Sequence, residues 1–205
     1  GKEFFVDPIS LANNDTVQAL TLASTGFVAH APAGAYVIVP NNATGRGLEN
    51  YNLQYNNATL YVTRKNITVS AATITKTYGD IYTFSAKEFN YDKAQMIGTD
   101  SIDSAQLQSA ATIAKAPVGD HQLSIVSLSG YRLENYNIKM LNGTLRVTQK
   151  NITIRANNST KRYGELLNFT GKEFSSDQEL VAGDSIYFVI FSSAGIEPSA
   201  PVGNY

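Results

Sequence analysis

The 205-residue chain has no cysteine, no tryptophan and only two histidines. The missing cysteine excludes disulfides, thiolate nucleophiles and cysteine-ligated metal centres together, without choosing a compartment. His30 and His121 do not align across the repeat described below. Neither stands in a recognisable arrangement with a serine or threonine nucleophile and an orienting group, which triad chemistry requires, so an enzyme is not expected. Charge of one sign is also lacking: 16 basic and 17 acidic residues leave a net charge of −1. With no basic stripe, nucleic acid is not an expected partner. No run reaches the roughly 18 apolar residues of a spanning helix, so direct membrane insertion is not expected. The opening GKEFFVDPISLANN has no signal-peptide layout. The 43% hydrophobic and 10% aromatic content is enough to build folded cores.

The dominant feature is internal repetition, which is sought first because it sets the architecture. Residues 133–154, LENYNIKMLNGTLRVTQKNITI, match residues 48–69, LENYNLQYNNATLYVTRKNITV, at 14 of 22 positions and a spacing of 85. The same step relates Lys2-Glu3-Phe4, Lys87-Glu88-Phe89 and Lys172-Glu173-Phe174, and likewise Asp7, Asp92 and Asp177. One residue is lost late in the third copy, so Pro117 matches Pro201. The frame adopted is repeat 1 over 1–65, repeat 2 over 66–150 and repeat 3 over 151–205, with only repeat 2 complete. Units starting near Gly1, Ala86 and Gly171 are the alternative frame. The pattern reads as part of a longer array.

Within repeat 2, Ile67, Val69 and Ala71 alternate with polar or small residues, a strand period. Strands are also expected over 81–89, 104–112, 121–129, 134–141 and 144–149, the last two joined as a hairpin at Asn142-Gly143. A helix of one or two turns is expected from Asp92 to Gly98, with aspartate as N-cap and glycine as stop. Its counterparts start at Asp7, followed by Pro8, and at Asp177. At Lys65-Asn66 the apolar parity flips from Leu60 and Val62 to Ile67 and Val69, and at Lys150-Asn151 from Leu145 and Val147 to Ile152 and Ile154. Alternate strand residues face opposite sides, so a direct, linker-free hand-over between repeats is expected there. A bulge inside one larger sheet is the alternative.

Candidate binding chemistry is sparse. Carboxylates recur at Glu3, Glu88 and Glu173, at Asp7, Asp92 and Asp177, at Asp15, Asp100 and Asp184, and at Glu49 and Glu134. None sits in a dense calcium loop; capping and turn formation account for the aspartates, and calcium at a repeat junction through Asp80 or Glu165 is the alternative. No other cofactor or metal is expected. Nine asparagines, Asn14, Asn42, Asn57, Asn66, Asn142, Asn151, Asn157, Asn158 and Asn168, open Asn-X-Ser/Thr sequons and are candidate glycosylation sites, although asparagine and threonine also suit turns and strands. The twelve tyrosines offer a possible sugar-stacking surface, but Tyr51/Tyr136 and Tyr78/Tyr163 recur with the period, which suits a core role.

Several motifs in fixed order carry a resemblance. They are Lys76-Thr77-Tyr78-Gly79-Asp80 and Lys161-Arg162-Tyr163-Gly164-Glu165, the Gly183-Asp184-Ser185 turn, and Pro201-Val202-Gly203-Asn204-Tyr205. Asn135-Tyr136 followed by Gly143-Thr144-Leu145-Arg146-Val147 completes the set. Each repeat resembles the MBG domain of the YGX type, found in bacterial surface and two-partner-secretion adhesins. Thr99 and His121 depart from it, standing where glycine and tyrosine are usual. The resemblance implies mainly β modules in tandem, β-grasp-like or Ig-like, with a turn at Tyr78, Gly79 and Asp80 and again at Tyr163, Gly164 and Glu165. It also implies an extracellular, bacterial cell-surface location and a stalk role in an adhesin. Adjacent repeats of the same chain are the expected partners, with extracellular glycans or host and matrix surfaces as further candidates. A glycan-binding module is the alternative function.

Overall fold

A computed structural model describes residues 4–6 and 11–205. Lys2, Glu3 and the helix start at Asp7-Pro8 lie outside the described residues. The described chain is mainly β, as expected. Its strands in chain order are β1 Thr16–Ala23, β2 Gly34–Arg46, β3 Ala58–Val62, β4 Lys65–Ala71, β5 Thr73–Thr77, β6 Phe89–Tyr91, β7 Ser101–Gln108, β8 Gly119–Tyr131, β9 Tyr136–Leu141, β10 Gly143–Thr148, β11 Ile154–Ala156 and β12 Phe174–Ser176. The helical content among the described residues is single three-residue 3-10 turns.

The sequence period is reproduced element by element. Adding 85 to β1 and β2 gives β7 and β8, and adding it to β3 gives the first five residues of β10. The 3-10 turns Thr25–Phe27 and Leu48–Asn50 become Ala110–Thr112 and Leu133–Asn135. Ser24 and Ser109 cap the first pair by accepting from the backbone N–H of Gly26 and Ala111.

The residues fall into two compact units, Gly1–Ser70 with Phe89–Gln106 and Ile125–Leu141, and Ala71–Glu88 with Leu107–Ser124 and Asn142–Tyr205. The first contains the sheets β1-β2-β3 and β6-β4-β9. Its core gathers Ile67, Val69, Ile102 and Tyr136, with Phe89, Met96, Leu133 and Ile138 against them. Ile67 and Val69 share one parity of β4 while Leu60 and Val62, half-buried, hold the other in β3, so the parity flip at Lys65 is real. Lys65 itself is exposed. The second unit holds β5, β10 and the opening half of β8 in order, and the pair β11-β12. Ala111, Ala116, Leu145 and Val147 form its core, with Ile74 and Tyr78 packed on them.

Three local expectations are corrected. Residues 142–143 are not a hairpin: β9 pairs in parallel with β4, Lys65 opposite Tyr136, and β10 in parallel with β5, Thr73 opposite Thr144. Both pairings have an offset of 71 residues (136 − 65 and 144 − 73). Gly143 serves close approach instead of turning, since a Cβ there would lie 2.2 Å from the Ala72 carbonyl oxygen, which accepts from Thr144 N–H at 3.2 Å. Residues 81–88 are not a strand. A tight turn at Ser85–Glu88, with Ala86 at φ 66°, breaks the alternation. The expected helix at 92–98 shrinks to the 3-10 turn Lys93–Gln95; Asp92 does cap it, accepting from Ala94 N–H at 3.0 Å. At Asp177 no helix forms, because that carboxylate instead accepts from the Thr153 N–H at 2.7 Å.

The Gly143 contact generates a paired prediction. Gly143→Ala should lower the stability of the fold by about 2–3 kcal/mol, because the backbone it meets cannot yield as a side chain would. The equivalent residue of repeat 1 is already Ala58, and Ala58→Gly should change stability by no more than about 1 kcal/mol. Chemical denaturation of the two variants beside the parent chain measures both.

Candidate functional site

The recurring Lys-x-Tyr-Gly motif is a clamp built on one turn. Tyr78 and Gly79 occupy a turn closed by Asp80 N–H donating to Thr77 O at 3.1 Å. Gly79, at φ 98°, takes a left-handed conformation that a side chain resists. Its N–H donates to Ala114 O at 3.0 Å, and the Tyr78 N–H to Thr148 O at 2.8 Å. The Lys76 side chain folds over this turn. Its ammonium donates to Asp80 O at 2.8 Å and to Ile113 O at 2.5 Å, with the residue only 6% exposed. Burial lowers its pKa, opposed by the Asp80 charge. Repeat 3 repeats the arrangement: Lys161 Nζ donates to Glu165 O at 3.0 Å and to Glu197 O, and Gly164 N–H to Pro198 O at 3.1 Å. The lysine was visible in sequence only as a motif member; its recurrence two residues before the tyrosine was the signal of its role.

A second recurrent device uses glutamate. Glu88 Oε1 accepts from Ser85 N–H and Oγ–H, both at 2.7 Å, and Oε2 from Lys87 N–H at 3.0 Å. Glu173 does the same with Thr170 N–H at 3.0 Å, Thr170 Oγ1–H at 2.7 Å, and the Gly171 and Lys172 N–H groups at 3.1 Å. The Thr170 backbone and hydroxyl donors hold the Glu173 pKa down at about 2, against an ordinary 4.5. At Glu88 burial works in the opposite direction, and the donors from Ser85 and Lys87 still leave the pKa lowered.

The third device joins strand to turn through a phenol. Tyr136 O–H donates to Asp100 Oδ2 at 2.8 Å and its oxygen accepts from Ile97 N–H at 2.9 Å. Tyr51 does so with Asp15 Oδ2 at 3.0 Å and Ala12 N–H at 2.7 Å. In the second unit Tyr78 and Asp184 line one cleft, and the influence of the Asp184 side chain is the first cause of the raised Tyr78 pKa.

Contacts between successive repeats occur inside each unit. In the first, Ala33 N–H donates to Asn135 Oδ1 at 2.9 Å and Arg132 Nη2 to His30 O at 3.4 Å. A cavity of about 150 Å³ beside them is lined by His30, Lys65, Asp100, Arg132 and Tyr136. In the second, Lys150 Nζ donates to Glu179 O at 3.0 Å, beside a cleft of about 470 Å³ lined by Tyr78, Val118, Lys150, Val181 and Asp184. Four positions recur between the two linings: Ala33/Val118, Lys65/Lys150, Ile97/Val181 and Asp100/Asp184.

The remaining sequence candidates are dispersed. His121 Nε2–H donates to Pro117 O at 2.7 Å, as the Tyr36 hydroxyl does to Pro32 O at 2.7 Å and Tyr205 to Pro201 O at 2.6 Å. Histidine therefore fills the tyrosine position by supplying the same donor. His30 is exposed. Glu49 and Glu134 sit in the first turns of two 3-10 elements. Glu165 Oε2 accepts from Arg162 N–H at 3.0 Å. Among the described residues no three histidine or acidic side chains converge into a metal-holding group. All nine sequon asparagines, Asn14, Asn42, Asn57, Asn66, Asn142, Asn151, Asn157, Asn158 and Asn168, are exposed. Asn42 and Asn14, at φ 50° and 57°, also serve the backbone. Tyr61, Tyr163, Tyr187 and Tyr205 are exposed, whereas Tyr136 is buried. No described helix is long and apolar enough to cross a membrane.

A family model described as MBG domain (YGX type) matches residues 6–61 and 67–146. No curated protein and no solved structure matches the chain.

Two outcomes test these devices. Lys76→Met leaves the Asp80 and Ile113 carbonyls without their shared donor and should cost about 1–3 kcal/mol, read by thermal or chemical unfolding. Because the folded pKa of Glu173 is depressed to about 2 from 4.5, its contribution is complete above pH 4.5 and is lost as pH falls toward 2. Glu173→Gln should flatten the acid limb of the stability profile in that window, and carboxyl titration by NMR should give the low value directly.

Proposed function

The chain belongs to the MBG domain (YGX type) family, and from that premise we propose that it is a structural spacer: a run of stalk repeats that carries an adhesive region away from a bacterial surface. The observation that carries the reading is the element-for-element recurrence of strands and turns at one 85-residue step, with the motif side chains consumed in holding turns. Lys76 and Lys161, Glu88 and Glu173, and Tyr51 and Tyr136 each occupy their polar atoms with local backbone or a neighbouring carboxylate. Such residues define a module that can be multiplied. A repeat needs its own core and two compatible ends, and length then follows copy number.

The hand-over between repeats favours reach over free pivoting. Only Thr63 and Arg64 separate β3 from β4, and the Ala33–Asn135 and Arg132–His30 hydrogen bonds bridge repeats 1 and 2. A Gly/Ser linker would leave such a joint loose.

Small-angle scattering on chains carrying increasing numbers of repeats tests the spacer role. With strands of about ten residues at roughly 3.3 Å each, every added repeat should lengthen the maximum dimension by about 30–40 Å. A maximum dimension that grows only as a compact globule's would refute it. A glycan array with hits lost on changing Tyr61 or Tyr187 would move the assignment to a binding module.

A further inference from the structure

We propose that Arg132 is the clamp of the joint between repeats 1 and 2, created by a one-position displacement of an arginine along the repeat. In both repeats an arginine faces the recurrent aspartate at the same separation: Arg46 Nε stands 3.9 Å from Asp15 Oδ1, and Arg132 Nε 3.9 Å from Asp100 Oδ1. The two arginines are not equivalent in sequence. One 85-residue step carries Asp15 to Asp100 and Leu48-Glu49-Asn50-Tyr51 to Leu133-Glu134-Asn135-Tyr136, but it carries Arg46-Gly47 to Tyr131-Arg132. Arginine therefore stands where repeat 1 has glycine. The backbone is left-handed at both places, with φ 72° at Gly47 and 58° at Arg132. That conformation suits glycine and costs free energy for any side chain. A Cβ on Gly47 would lie 2.3 Å from the Asp15 carboxyl group, so repeat 1 could not hold arginine there without moving that carboxylate.

What the strained position gains is reach. Arg46 turns its guanidinium to its own repeat, donating through Nη2 to Asn13 O at 3.0 Å and to Asn14 O. Arg132 Nη2 instead donates to His30 O of the preceding repeat at 3.4 Å. Its side chain is 29% exposed, against 62% for Arg46, and it lines the 150 Å³ cavity with His30, Ala33 and Asp100. The same segment of repeat 1 meets repeat 2 at two further points. The His30 ring lies 3.8 Å from where a Cβ of Gly98 would stand, and the Ala33 N–H donates to Asn135 Oδ1 at 2.9 Å. Asp100 is the anchor. Its Oδ2 accepts from Tyr136, and its buried Oδ1, without a hydrogen-bond partner, faces the guanidinium by charge alone. A guanidinium presents its donors in a fixed planar fork, so one edge faces Asp100 while another reaches the neighbouring repeat. An Arg-Gly dipeptide at this place spends the charge within its own repeat; Tyr-Arg spends it on the joint. The clamp rests on the spacer reading for its use, since a held joint is what turns repeat number into reach.

Amide hydrogen exchange on the full chain reads this joint at one atom, the Ala33 N–H. The double variant Tyr131→Arg/Arg132→Gly gives repeat 2 the dipeptide of repeat 1. It keeps a guanidinium for Asp100 and removes the bridge to His30. Protection at Ala33 should fall by about tenfold, the loss of one hydrogen bond from a charged donor, while the amides of the central strand β4 keep theirs. Arg132→Gly alone should also lower protection at Ala33, together with global stability, because a buried carboxylate loses the charge that faces it. Unchanged exchange at Ala33 in either variant would overturn the proposal. So would an equal fall at Ala33 and throughout β4 in the double variant, which would make Arg132 a support of the fold and not of the joint. The spacer role is judged separately: it stands or falls on length gained per repeat, whereas the exchange experiment fails only if Arg132 does not hold this joint.

Discussion

Parallel pairing between the first and last strands of a repeat is the constraint on which the rest of this structure hangs. In repeat 2, residues 65–70 lie in register with 136–141, and residues 73–77 with 144–148, at one offset of 71. Parallel strands cannot be joined by a tight turn and need a long connection. Here β6, β7 and β8 all lie between them in sequence. The pairing decides whether neighbouring residues are regular at all. Residues 51–56 stand one 85-residue step before β9 and share its opening Tyr-Asn, yet form no strand. Strand propensity describes fitness for a pleated surface, and a missing ladder removes that surface.

The Tyr-Gly turn gives the same closure a polar lock. A buried ammonium is costly unless its donors are used, and Lys76 uses the carbonyls of its own turn and of the segment opposite. Glu88 and Glu173 apply the complementary chemistry, gathering several N–H groups onto one carboxylate. Both devices tie side chains to backbone over short sequence distances or across one sheet. A separate contact tolerates a change of residue: in the Tyr36, His121 and Tyr205 series the ring changes and the hydrogen bond donated to the proline carbonyl remains.

A module closed in this way has ends of a particular kind. Its last strand runs almost directly into the next repeat, and side chains such as Asn135 and Arg132 reach back to the preceding one. Asp100, which Tyr136 bonds through Oδ2, keeps its Oδ1 buried without a hydrogen-bond partner.

The sequence by itself determined the 85-residue period, the mainly β character, the parity flip at Lys65, the capping aspartate at Asp92 and the family. Each is a local or periodic signal, readable because alternation and turn chemistry act over a few residues. It misled at Asn142-Gly143, where a dipeptide favoured in hairpins instead lets two strands approach closely, and at 81–88, where the turn gathered by Glu88 interrupts an alternating run. It was silent on the burial of Lys76, on the orphaned oxygen of Asp100, and on which strands are neighbours. Those were decided by tertiary structure alone, because a parallel ladder joins residues 71 apart, and no short-range pattern records which distant strand will supply the missing hydrogen bonds.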